Sequence, residues 1–135
     1  MPNRPADIAR YTYIQIAMMV VGFINTLIHW DATVTLPGNS STQQILSLVF
    51  GYGIGLALLY FIYMRASNVA RWISVVFTVL GTLFIIPIFM MDIPVPGGAM
   101  LPIISALVSL GALWFLFTPA AKNWFAKNPD HTVFK

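Results

Sequence analysis

Residues 45–64, ILSLVFGYGIGLALLYFIYM, hold no Asp, Glu, Lys or Arg. At about 1.5 Å of rise per residue, a helix of this length reaches roughly 30 Å, the thickness of a bilayer's hydrocarbon core. A strand of this segment alone could not satisfy its own backbone in lipid, whereas a helix satisfies every internal group. The strict alternation of a membrane barrel is absent. The segment therefore reads as a transmembrane helix.

Three more stretches share its character: residues 11–28, 72–91 and 99–117 also lack charge. With their flanks they predict helices over about 11–29, 44–64, 71–91 and 99–118, followed by a tail over 119–135. The whole chain forms a single membrane domain. Of its 135 residues, 59% are hydrophobic and 8% charged, against about 25% charged in a soluble domain. A soluble fold this small buries too little of itself to hide so much apolar surface. The expected fold is an all-α integral membrane protein, a four-transmembrane-helix antiparallel bundle.

Short connections make neighbouring helices antiparallel. Residues 30–44 carry a Pro37-Gly38-Asn39 turn signal, and 92–98 read DIPVPGG. Pro87 removes one backbone bond inside the third helix. With alternating spans, Arg4, Arg10, Arg65, Arg71, Lys122, Lys127 and Lys135 share one side, and Asp31 and Asp92 the other. The positive-inside rule then places both termini in the cytoplasm. The net charge of +3 is thereby explained by topology and anionic lipid, not by nucleic acid. Arg65, Arg71, Trp72, Lys122 and Trp124 are the expected interfacial anchors. No small-x-small cleavage site follows the first apolar run, so it reads as a retained span.

Each helix carries a small or polar face. Gln15, Gly22, Asn25, Thr26 and His29 recur at helical spacing in the first. Ser47, Gly51 and Gly55 stand four apart in the second. Ser74, Thr78, Gly81 and Thr82 mark the third, and Ser105 and Ser109 the fourth. Lipid gives no hydrophobic push between helices, so close backbone approach and interhelical hydrogen bonds are expected to hold them. Of these, Ser47, Gly51, Gly55, Ser74, Thr78, Gly81, Ser105 and Ser109 are read as packing positions. Gly51 and Gly55 would alternatively form a homodimer seam.

Asn25 and His29 lie one turn apart. With Asp31 and Asp92 they compose an outer cluster for a cation or proton relay, set against a reading as solvated helix ends. Gln15, deeper in the span, joins them in a possible pore or ligand stripe. Met18-Met19 and Met90-Met91 are thioether pairs of the kind that suits Cu(I), but Met is also ordinary packing material. A bis-histidine haem is excluded, because the second histidine, His131, falls in the tail. No cofactor or metal is expected. With no cysteine, thiolate and disulfide chemistry are absent. No catalytic constellation is present, so an enzyme is not expected.

Residues 65–72, Arg65-Ala-Ser-Asn-Val-Ala-Arg-Trp72, and 117–125, Phe117-Thr-Pro-Ala-Ala-Lys-Asn-Trp-Phe125, resemble the R-x-G-N-x-A-R and P-x-x-x-x-W-F junctions of small uncharacterised bacterial inner-membrane proteins with four spans. Ser67 stands where that pattern has Gly. The resemblance implies an interfacial role for these residues and no particular chemistry. Small multidrug transporters use a membrane-buried Glu in their first helix, which this chain lacks. Dual-topology fluoride channels balance their flanking charge, and this chain does not.

The sequence thus points first to a non-enzymatic inner-membrane protein that binds another membrane component, as an accessory subunit or immunity-type protein. The partners expected are the bilayer and another membrane protein, or a second copy of the chain. The second expectation is a small oligomeric channel or transporter whose helix-1 stripe lines a path.

Overall fold

The computed structural model describes residues 4–35, 38–91, 95 and 97–126. Asp92, His131, Lys127, Lys135, Pro37, Pro94 and Pro96 lie outside that set. The described residues form helices α1 (Ala6–Ile28), α2 (Trp30–Val34), α3 (Ser41–Arg65), α4 (Asn68–Met90), α5 (Met100–Leu113) and α6 (Pro119–Ala126). A 3₁₀ turn, Trp114–Leu116, extends α5. Helices α1, α3 and α4 are long and apolar enough to cross a membrane, and α5 with α6 makes a fourth candidate, bent by 64°.

Local chemistry sets the boundaries. Pro5 offers its carbonyl to the N–H groups of Ile8 and Ala9, at 3.2 and 3.4 Å, so α1 begins at Ala6, ahead of its uncharged run. Asp7 in the first turn suits the positive end of the helix. Ser40 caps α3 by accepting from the Gln43 N–H at 3.2 Å. At its other end α3 stops at Ala66, whose φ of 49° is left-handed, while the Ser67 N–H reaches the Phe61 carbonyl at 3.1 Å. That closure satisfies a terminal carbonyl. Ser67 then caps α4, accepting from the Ala70 N–H at 3.3 Å. Two residues therefore stop one helix and start the next, and Ser67 is the cap. Pro87 lies inside α4, which continues to Met90.

The fourth apolar run departs from the single helix expected over 99–118. It ends as a helix at Leu113, tightens into the 3₁₀ turn, and turns away as α6 at Pro119. Proline suits a first helical position because its missing N–H would have no partner there. Thr118 accepts from the Ala121 N–H at 3.3 Å. The short α2 lies within a stretch expected to be loop.

The four long helices close into a ring: α1 packs on α3 and α5, and α4 packs on α3 and α5. The fully packed core lies at the end carrying the arginines. There Ile8, Tyr11, Leu59, Ile62, Leu116 and Phe125 are each 6% exposed or less. Arg4 stacks on Tyr63, 3.6 Å from the ring centre. Arg71 lies 5.6, 5.1 and 4.8 Å from the ring centres of Trp72, Phe117 and Phe125, contacts worth about 0.5–1 kcal/mol each where solvent reaches them. Trp124 donates from Nε1 to the Ile62 carbonyl at 3.5 Å. Of the expected anchors, Arg71 and Trp124 thus also tie α6 to the ring, whereas Arg65 and Lys122 are exposed and Trp72 is half-exposed.

Elsewhere the ring buries little. Only 11% of the most apolar window of α1, α3 or α4 is buried within the protein. Outward Val49, Phe50, Phe84 and Leu107 are each more than 60% exposed.

The Ser67 cap has a measurable consequence. Ser67→Ala lowers stability by about 1 kcal/mol, whereas Ser67→Gly loses only a few tenths. Chemical denaturation in detergent micelles reads both, and equal losses would contradict the capping role.

Candidate functional site

Within the ring lies a cavity of about 640 Å³, inside the range of roughly 300–1,000 Å³ typical of ligand pockets. Each long helix gives it one face. Helix α1 contributes Tyr11, Gln15, Met18 and Met19. Helix α3 contributes Ser47, Gly51, Gly55 and Leu58, and α4 contributes Ser74, Thr78, Gly81 and Thr82. Helix α5 adds Pro102, Ser105 and Ser109. Along α3 the lining extends from Ser47 to Leu59, roughly 18 Å of helix.

All eight residues read as packing positions (Ser47, Gly51, Gly55, Ser74, Thr78, Gly81, Ser105 and Ser109) line this cavity. They face inward, but several do not interlock. A Cβ added at Gly51 or Gly81 would meet nothing within 4 Å, while one at Gly55 would lie 3.1 Å from the Met19 methyl. Gly22 gives a closer fit, since a Cβ there would lie 3.1 Å from the Tyr52 hydroxyl. The Tyr52 ring meets Phe23 edge-on at 5.7 Å. Tyr52 also lines the cavity. Sequence reasoning passed over it, because one aromatic in mid-span looks like a lipid-facing residue. Its only signal was Gly22 on the facing helix.

The wall carries no Asp, Glu, Lys, Arg or His. Two of its hydroxyls are satisfied locally. Thr78 and Thr82 donate to the carbonyls of Ser74 and Thr78, each at 2.8 Å. Thr26 likewise donates to the Gly22 carbonyl at 3.0 Å. The expected bonds between helices are replaced here by bonds back to the same helix, which a threonine reaches one turn away. Gln15 differs: its Nε2 is buried and has no partner. A buried donor left unpaired costs about 1–3 kcal/mol.

The stripe on α1 is divided. Gln15 lines the cavity, but Asn25 and His29 do not. They pack instead under the turn before α5. A Cβ on Gly97, whose φ is +82°, would fall 2.6 Å from Asn25 Oδ1 and 2.9 Å from His29 Nε2. Only glycine fits that left-handed, crowded position. His29 ends α1, and the Thr33 N–H bonds its carbonyl at 3.0 Å. Asp31 stands exposed in the first turn of α2, with no ion pair to His29. Asp92, the remaining member of the outer cluster, is outside the described residues. Among the described residues no group of three His, Cys, Asp or Glu is placed to hold a metal ion.

No protein-family model matches the chain, and no curated protein or solved structure matches it either.

The open space at Gly51 and Gly81 sets the sign of two substitutions. Gly51→Ala and Gly81→Ala leave stability unchanged or raise it by up to about 1 kcal/mol, the helix preference of Ala over Gly. Gly55→Leu, which must displace Met19, lowers it. Thermal unfolding in micelles ranks the three; a loss at Gly51 and Gly81 would mean that these faces interlock.

Proposed function

We propose that this chain is a multi-pass protein of the bacterial inner membrane, with both termini in the cytoplasm. It acts without catalysis by binding another membrane component, a small apolar molecule taken into the ring cavity. The observation that carries this reading is the cavity itself, of ligand-pocket volume and walled by all four helices. The outward faces support membrane placement, because their large exposed side chains need an apolar solvent. One-sided arginine and lysine supports the orientation.

Binding is favoured over an open channel by the arrangement along the axis. Toward the arginine-rich end, nothing beyond Tyr11, Leu59, Ser74 and Ser109 lines the cavity. Beyond them comes the packed core of Ile8, Ile62 and Leu116. A conducting path would have to pass through close-packed side chains. Transport by alternating access remains the second reading, favoured by one observation, that Gln15 of the polar stripe lines the cavity.

Native mass spectrometry of the gently extracted protein tests the binding function. The wild type carries a stoichiometric small-molecule adduct, and Gly51→Leu, which fills the open space, loses it while keeping its fold. A protein partner in place of the adduct would shift the reading to an accessory or immunity role. The absence of cysteine makes the topology equally testable. A membrane-impermeant maleimide labels Asp31→Cys in intact spheroplasts, but Lys122→Cys only after lysis; the opposite pattern inverts the orientation.

A further inference from the structure

The character of the wall narrows what the cavity would hold, and this step rests on the binding function proposed above. We propose that the occupant is a neutral, largely apolar molecule bearing a hydrogen-bond acceptor, held by the Gln15 amide.

Three features lead to this class. First, no Asp, Glu, Lys, Arg or His lines the space. A charged group moved into it would lose hydration with no counter-charge in return, so charged ligands are disfavoured. Second, most of the wall is apolar or small: Met18, Met19, Ile54, Leu58, Phe77 and Ile85 surround it, and methionine adapts to varied shapes. Third, Gln15 Nε2 is buried without a partner. The nearby threonine hydroxyls are committed to their own helix. The unmet need is for an acceptor, which a ketone, ester or ether oxygen supplies. A pure hydrocarbon fills the space but leaves the amide unpaired.

The methionines provide the assay. Met18 and Met19 line the cavity, while Met64 and Met90 are 49% and 80% exposed on the outside. Benzophenone is a neutral ketone that, on irradiation, attaches to nearby C–H bonds. It is applied to the protein in phosphatidylcholine nanodiscs, and the labelled residues are mapped by peptide mass spectrometry. Competitors of one shape then vary a single property: fluorenone carries a ketone, fluorene none, 9-aminofluorene a positive charge and fluorene-9-carboxylate a negative one. Labelling at Met90 corrects for the amount dissolved in lipid.

The expected result is labelling at Met18 or Met19 that fluorenone suppresses at about fivefold lower concentration than fluorene, the size of one hydrogen bond. Both charged competitors are weaker than fluorene. In Gln15→Leu, the advantage of fluorenone over fluorene disappears while labelling persists. Equal suppression by fluorenone and fluorene in the wild type, or stronger suppression by a charged analogue, overturns the ligand class and leaves the cavity as a binding site. Labelling confined to Met64 and Met90 overturns the binding site itself. The wild-type competition decides the class even if Gln15→Leu does not fold.

Discussion

Among the described residues, the long helices of this protein share their close-packed core at one end. Ile8 and Tyr11 from α1, Leu59 and Ile62 from α3, Ala70 from α4, Leu116 from the 3₁₀ turn and Phe125 from α6 meet in a single close-packed cluster. In an apolar solvent such packing draws on dispersion and fit, since transfer from lipid gains nothing. The arginines reinforce it from outside. Arg71 sits among rings from α4, α6 and the segment just before α6, and Arg4 lies on a ring of α3. Beyond this cluster the inward faces of the ring enclose the cavity.

Those faces are too small to fill it. Glycine, serine and threonine on two facing helices would draw the backbones together into a seam. On four helices arranged as a ring, each helix leans on two neighbours, and its small face turns toward the centre. The same residues that permit close approach in a pair then leave a space. Gly55 under Met19 and Gly22 under Tyr52 show where one large side chain reaches across and restores contact. Gly51 and Gly81 show where none does.

Much of this was legible in the sequence. The uncharged runs located the long helices to within a few residues, because the requirement for a self-satisfied backbone leaves little freedom. Helical periodicity identified the inward faces, down to Ser47, Gly51, Ser74, Thr78 and Ser109. It could not give the distance between those faces, which depends on how all four helices pack together. The early start of α1 was hidden by Asp7 and Arg10, whose charges end a hydropathy window without ending a helix. The break before α6 had a local signal in Thr118-Pro119, a capping residue followed by a favoured first position. The seating of Asn25 and His29 beneath Gly97 had none, because it joins residues about seventy positions apart.

A core shared at one end also has a mechanical meaning. Away from the cluster, α1 is held to the segment before α5 by the close seat of Gly97 on two side chains, and α2 is tied to α3 through Asn39, which donates to the Thr33 carbonyl at 2.9 Å. The ring is thus built like tweezers, stiff at the joint and lightly latched at the tips. Over a lever of roughly 18 Å, a helix tilt of about five degrees displaces a tip by roughly 1.5 Å. At that leverage a small tilt is enough to alter the aperture of the cavity by a sizeable fraction of an atom's diameter.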